Sequence, residues 1–198
     1  MAIASGTSKV EIISQVYGLL GQAFPINDLN TNAQYAAVSK MYDTMNRNLL
    51  TRTYWRFALA NFYLNELQTA PVNTYWQHAY SLPPDYLILL RIYKDGQKGS
   101  FTDFQLYREQ IWTNFDAPLL CDYIYNPGEA YYPAHFVELV IVTLAAKAAM
   151  TITQNINIAN FWVSKAEDMF LIARSQDAMA MPNIPIQRND IYASHFGS

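Results

Sequence analysis

Apolar residues recur at helical spacing at both ends of the chain and give way to short alternating runs in the middle. Ser8 fits an N-cap with Glu11 three residues on, and Val10, Ile13, Tyr17 and Leu20 then step along one face until Gly21 offers a stop. That pattern predicts a first helix over 9–21, followed by the connector Phe24-Pro25-Ile26. From Asn32, the residues Tyr35, Val38, Tyr42, Met45 and Leu49 step by three and four and lay one apolar stripe along a second helix. Its expected polar face is Ser39, Lys40, Asp43, Asn46 and Arg47.

After Leu50 the texture becomes aromatic alternation broken by turn residues. Tyr54-Trp55-Arg56-Phe57 and Trp76-Gln77-His78-Ala79-Tyr80 read as short strands, and Tyr86 to Tyr93 as a longer one, with a hairpin turn at Asp95-Gly96. Phe104–Tyr107, Gln110–Thr113 and Cys121–Tyr125 supply further strands, punctuated by Pro118 and Pro127-Gly128. Together these predict a small antiparallel sheet inserted between helices.

Helical spacing returns at Pro133, which suits the first helical position. Phe136, Leu139, Val140, Thr143, Leu144, Lys147 and Ala148 carry a third, alanine-rich helix over 133–153. It is apolar on most sides, so it needs several neighbours to cover it. Asn157 is the expected cap of a fourth helix in which Trp162, Ala166, Met169 and Ala173 share a face up to Ala180. Pro182 ends that pattern. The expected fold class is α+β, mainly helical with a β insertion. Residues 1–50 and 133–180 form the helical part, 51–132 the β-rich insertion, and 181–198 an extended C-terminal tail.

Composition narrows the function. Hydrophobic residues make up 52% and charged residues only 15%, so the polar surface must come from fifteen Asn, eleven Gln and fifteen Tyr. A surface rich in aromatics and poor in Lys, Asp and Glu suits burial against other protein. The formal charge of −3 opposes a protein that wraps nucleic acid by neutralising phosphates, and no segment forms a basic arm. Cys121 is the single cysteine, which leaves no disulfide framework and no thiolate zinc site. Met1 to Val10 lacks a signal-peptide pattern, and no apolar run is expected to reach the ~20 residues of a membrane span. The expectation is a chain made in the cytosol and kept or assembled there.

Several stretches carry a family resemblance. They are Trp55, Phe57 and Ala58; Leu82-Pro83-Pro84-Asp85-Tyr86-Leu87; Asn114 to Leu119 with Ala117-Pro118-Leu119; and Tyr123-Ile124-Tyr125. The series continues in Pro133, Phe136, Val137 and Glu138, then Leu144-Ala145-Ala146 and Ile152-Thr153. In order and spacing these residues resemble the tail tubular protein A type of head–tail adaptor from short-tailed bacteriophages, over roughly residues 35–180. The resemblance implies an antiparallel helical bundle with a β-rich insertion, assembled in the host cytoplasm into a virion ring at the head–tail interface. It further implies a roughly twelve-fold homo-oligomer that sits below the portal protein, extends the double-stranded DNA channel and meets the next, nozzle-type tail component. The C-terminal tail is implied to embrace the portal.

Read for chemistry, the residues favour a structural role over catalysis. Trp55, Phe57, Trp76 and Tyr80 are expected on one face of a sheet packed on the helices. An exposed aromatic platform for a sugar or nucleobase is the competing reading. Two prolines make Leu82-Pro83-Pro84-Asp85 a rigid strand entrance, with Asp85 bonding a nearby amide. No second carboxylate stands at a spacing that makes Asp85 half of an acid/base pair. His78, His135 and His195 are scattered, without a metal or nucleophile motif. No catalytic residue, cofactor or metal is therefore expected. Arg47, Arg52 and Arg56 cluster where the second helix meets the insertion, which suits a helix C-terminus and, in a ring, a contact with DNA or a neighbouring subunit. Ile184, Ile186, Ile191, Tyr192 and Phe196 are the expected portal-binding residues of the tail, on a segment suited to adding itself to a partner's sheet edge or groove, with folding back on its own domain as the competing reading. The alternative function is an aromatic-rich carbohydrate-binding module or a small phage-encoded cell-wall enzyme.

Overall fold

The computed structural model describes residues 7–27, 29, 31–69, 71, 75–95, 102–116 and 118–180. Among these the chain is α+β, with four α-helices and seven strands. The helices are α1 (Lys9–Leu19), α2 (Ala33–Arg52), α3 (Ala134–Thr153) and α4 (Ile156–Met179). All the strands fall between α2 and α3: β1 (Leu59–Tyr63), β2 (Asn65–Glu66), β3 (His78–Ser81), β4 (Tyr86–Lys94), β5 (Gln105–Tyr107), β6 (Gln110–Thr113) and β7 (Leu119–Tyr125).

The helices begin where capping side chains allow. Ser8 Oγ accepts from the Glu11 amide at 3.2 Å and Asn32 Oδ1 from the Tyr35 amide at 2.8 Å. The cap of α4 is Asn155, whose Oδ1 accepts from the Asn157 amide at 2.9 Å; the expected cap, Asn157, lies inside the helix. α1 ends at Leu19, and Gly21 takes the left-handed φ of 69° that closes its C-terminus, with the Gln22 amide reaching back to the Tyr17 carbonyl at 2.9 Å. α3 is central, packing on α1, α2 and α4. It also corrects an expectation from sequence, because its 20 residues are long and apolar enough to cross a membrane by length and composition. Most of that stretch, 61%, is buried inside the chain.

The first core lies among the helices. Trp55 sits at its centre, its ring 5.0 Å from Phe136 and 6.1 Å from Phe170, while its Nε1–H donates to the Leu49 carbonyl at 2.7 Å. This overturns the strand expected at Tyr54–Phe57. Capturing the indole turns the chain at Trp55, and Arg56–Ala58 forms a single tight helical turn before β1.

Two antiparallel sheets replace the single one expected: β1-β7-β4 and β2-β3-β6-β5. β4 pairs with β7, and β5 lies in the other sheet, so no hairpin joins β4 to β5. The Gly96 half of the expected turn lies outside the described residues. β1 and β2 had no counterpart in the sequence reading; β3 starts at His78, two residues after Trp76, and β7 starts at Leu119, two before Cys121.

β4 carries two irregularities, between Tyr86 and Ile88 and between Leu89 and Arg91. Each adds a residue, so Tyr86, Leu89 and Ile92 reach the second core while Leu87 and Leu90 meet the helices. The second core gathers Leu64, Tyr80, Leu82, Ile92, Ile111, Leu119, Cys121 and Tyr123. The four aromatics expected on one face are thus divided: Trp55 and Phe57 join the helices, Tyr80 joins the second core, and Trp76 donates its Nε1–H to Gln105 Oε1 at 3.0 Å.

Candidate functional site

The first built polar cluster lies on the β1-β7-β4 sheet. Register places Asn61 of β1 and Arg91 of β4 opposite Asp122 of β7, so three strands present one row. Asp122 is buried, accepting from Asn61 Nδ2 at 2.7 Å, from the Tyr93 hydroxyl at 3.2 Å, and from Arg91 Nε. Burial alone pushes its carboxyl pKa upward. The hydrogen bonds from Asn61, Arg91 and Tyr93, together with the Arg91 charge, outweigh that and hold it below the usual range. Next to it, burial and the Asp122 charge push the Cys121 thiol up to about 12, which makes that cysteine a packing residue rather than a nucleophile. A lone carboxylate inside the apolar run Leu119–Tyr125 was the one sequence signal for this cluster.

A second cluster joins α2 to the turn before α3. The Tyr42 hydroxyl donates to Glu129 Oε1 at 2.9 Å, Asn46 Nδ2 donates to the Tyr132 hydroxyl at 2.7 Å, and that hydroxyl donates to Asn126 Oδ1 at 2.7 Å. Asn46 is buried, contrary to its expected place on the polar face of its helix, and its Oδ1 has no hydrogen-bond partner among the described residues. Burial first, then Glu129, raises the Tyr42 pKa; burial, opposed by the Asn46 bond, takes Tyr132 up to about 12. Both phenols are neutral hydrogen-bonding struts at ordinary pH. Tyr42, Asn46, Asn126 and Glu129 of this cluster line, with Asp43, Arg47, Leu50 and Leu87, a cleft of about 290 Å³.

The three arginines singled out from sequence have separate environments. Arg52 donates to Glu167 Oε2 at 3.0 Å and lies 3.9 Å over the Phe170 ring, tying the end of α2 to α4. Arg47 is exposed at the cleft just described. Arg56 uses its backbone N–H on Asp177 Oδ2 at 2.9 Å, and its exposed side chain lines another cleft of about 360 Å³ with Tyr54, Leu90, Arg91 and Asp122. Asp85, expected on a backbone amide, instead accepts from the Tyr123 hydroxyl at 3.2 Å. His78 pairs with Glu66 at 2.6 Å, and His135 lies 3.7 Å from the buried Asp177. Among the described residues no three His, Cys, Asp or Glu side chains gather as a metal set. His195 and the tail residues Ile184, Ile186, Ile191, Tyr192 and Phe196 lie outside the described residues.

A further concavity among the described residues is apolar. α1 and α4 stand either side of α3 and leave a groove of about 640 Å³. Gln15, Gly18 and Leu19 form one wall, Phe161, Trp162, Lys165 and Met169 the other, and Glu138, Ile141 and Val142 of α3 complete it. On the same side of α4 as Phe161 (55% exposed), and separated from it by the exposed Lys165 and Asp168, Ile172 (49%) and Met179 (76%) reach solvent, as does Leu171 (63%). No protein-family model matches this chain, and no curated protein matches it.

Proposed function

We propose that the protein is a head–tail adaptor of a short-tailed bacteriophage virion. Its subunits close into a ring between the portal and the next tail component, and the genome passes through. In this reading the four helices act as an antiparallel bundle, the two sheets form its side domain, and residues 181–198 are an extended tail that engages the portal. The role is structural, with no catalytic step.

The observation that carries this reading is the exposed apolar flank of α4 in a chain of which only 15% is charged. Large apolar side chains left in solvent in this number along one helix suit protein cover. In a ring each contact is repeated, and later contacts are effectively intramolecular, so modest interfaces close a stable assembly. The resemblance supports the same reading: Trp55, Phe57 and Phe136, which carry it, pack ring against ring where the helices meet the sheets. A net charge of −3 favours passage of DNA over its retention.

The test is mass measurement of the purified chain, alone and mixed with the portal protein of the same phage, with electron microscopy of the mixture. A ring of adaptor subunits on the portal is the expected result. A chain that stays monomeric and unbound in the mixture overturns the assignment.

A further inference from the structure

The groove between α1 and α4 has the chemistry of a peptide seat. Its polar lining residues, Gln15, Glu138 and Lys165, are all exposed, while Ile141 and Val142 beneath them are buried. A small polar ligand needs inward-facing donors and acceptors; a peptide with apolar anchors does not. Glu138 and Lys165 make no ion pair among the described residues, and Lys165 Nζ lies 5.9 Å from the Phe161 ring, so one charge of each sign stands at the rim without an ionic partner there. Gly18 lowers the α1 wall, and a Cβ there would meet nothing within 4 Å. A glycine weakens the body of a helix, and packing within the described residues gives no reason for this one.

The segment that follows α4 matches these features. Residues 181–198 carry Ile184, Ile186, Ile191, Tyr192 and Phe196, with Arg188 and Asp190 between the apolar pairs. One positive and one negative side chain thus stand among the anchors, complementary to Glu138 and Lys165. The reach is sufficient as well. Along α4, Met179 is about 15 Å from Met169 and about 27 Å from Phe161, whereas residues 181–191 in extended form span about 36 Å. The length of chain after Met179 is therefore enough to reach the groove.

We infer that in the free subunit the groove between α1 and α4 holds the chain's own residues 184–196, with Ile191, Tyr192 and Phe196 as anchors. A tethered segment acts at a millimolar effective concentration, so a weak intrinsic affinity fills the groove in cis. This inference stands independently of the adaptor reading. If both hold, the portal competes with the groove for the same anchors, and a subunit releases its tail only on docking.

The full chain carrying Gln15→Cys and Ala193→Cys, which keeps all three anchors, treated with a short bis-maleimide, tests the inference without portal. Native Cys121 is buried and serves as an internal bystander. A control pairs Ala193→Cys with Asn48→Cys, an exposed position on α2 outside the groove. The expected product is an intrachain link at monomer mass, at least about fivefold more abundant than in the control, as a local-concentration effect requires. Met169→Lys, placing a charge in the groove wall, removes that excess while circular dichroism stays native. An interchain link would assign the groove to a second copy, and equal yields in the two pairs would leave the tail unseated; either result overturns the inference.

Discussion

Replacing Trp55 tests whether one side chain joins the helices to the insertion. The indole is fully buried, touches the Phe57, Phe136 and Phe170 rings, and donates to the Leu49 carbonyl at 2.7 Å near the end of α2. Trp55→Ala removes this contact surface and opens a cavity, a change that costs about 3–5 kcal/mol in well-packed cores. Trp55→Phe keeps much of the aromatic packing but leaves the Leu49 carbonyl unpaired, so a loss of about 1–3 kcal/mol is expected. For a chain of this size each kcal/mol lowers Tm by about 2–4 °C, which puts the alanine variant roughly 6–20 °C below the wild type. Urea unfolding followed by far-ultraviolet circular dichroism measures both losses. A single transition with an unchanged m-value is the expected form, because Ile124 of β7 and Leu87 and Leu90 of β4 belong to the helical core while their neighbours in the same strands fill the second core. A Trp55→Ala loss below about 1 kcal/mol, the scale of an ordinary substitution, would refute the central role given to the indole. Two separate transitions would refute the coupling of the cores.

Two further outcomes follow from the sheet. Asp122 has a lower pKa folded than unfolded, so the native state binds fewer protons; its contribution is complete above the unfolded value of about 3.9 and is lost as pH falls through the folded one. Asp122→Asn should therefore destabilise the chain at neutral pH and flatten the acid limb of a stability-versus-pH curve, and an acid limb identical to wild type would show that the Asn61–Arg91–Tyr93 cage does not act on this carboxylate. Cys121, buried with its thiol raised to about 12, should resist a maleimide in the native chain and react in urea, whereas rapid native labelling would place it outside the core.

The helices were legible because their signals are local. Caps three residues from their partners, apolar steps of three and four, and a stop glycine placed α1 and α2 within a few residues, and the errors at α3 and α4 are shifts at their starts. The insertion was legible in kind but not in layout. β7 is the middle strand of its sheet and is buried on both faces, so it reads as a continuous apolar run. In β4 the bulges turn a period of two into a period near three, with Tyr86, Leu89 and Ile92 on one face, and no alternation rule finds that register. Asn46 and Tyr132 are 86 residues apart and meet only after folding, so a polar side chain on a helix was assigned to solvent.

The same separation between local and long-range signals explains why the candidate surfaces were only half visible. The arginines Arg47, Arg52 and Arg56 are neighbours in sequence, yet folding gives Arg52 to Glu167 and Phe170 and leaves Arg47 and Arg56 at different clefts. Charge reversal at Arg52 would therefore disturb the α2–α4 contact as well as any outside partner, whereas Arg47 and Arg56 are exposed and report on a partner more directly. The groove depends on three helices far apart in the chain, so its shape had no sequence signature. In a chain of which only 15% is charged, the exposed Phe161, Leu171, Ile172 and Met179 of α4 are the side chains that a partner would cover, and the crosslinking and mass measurements separate cover by the chain's own terminus from cover by a second copy.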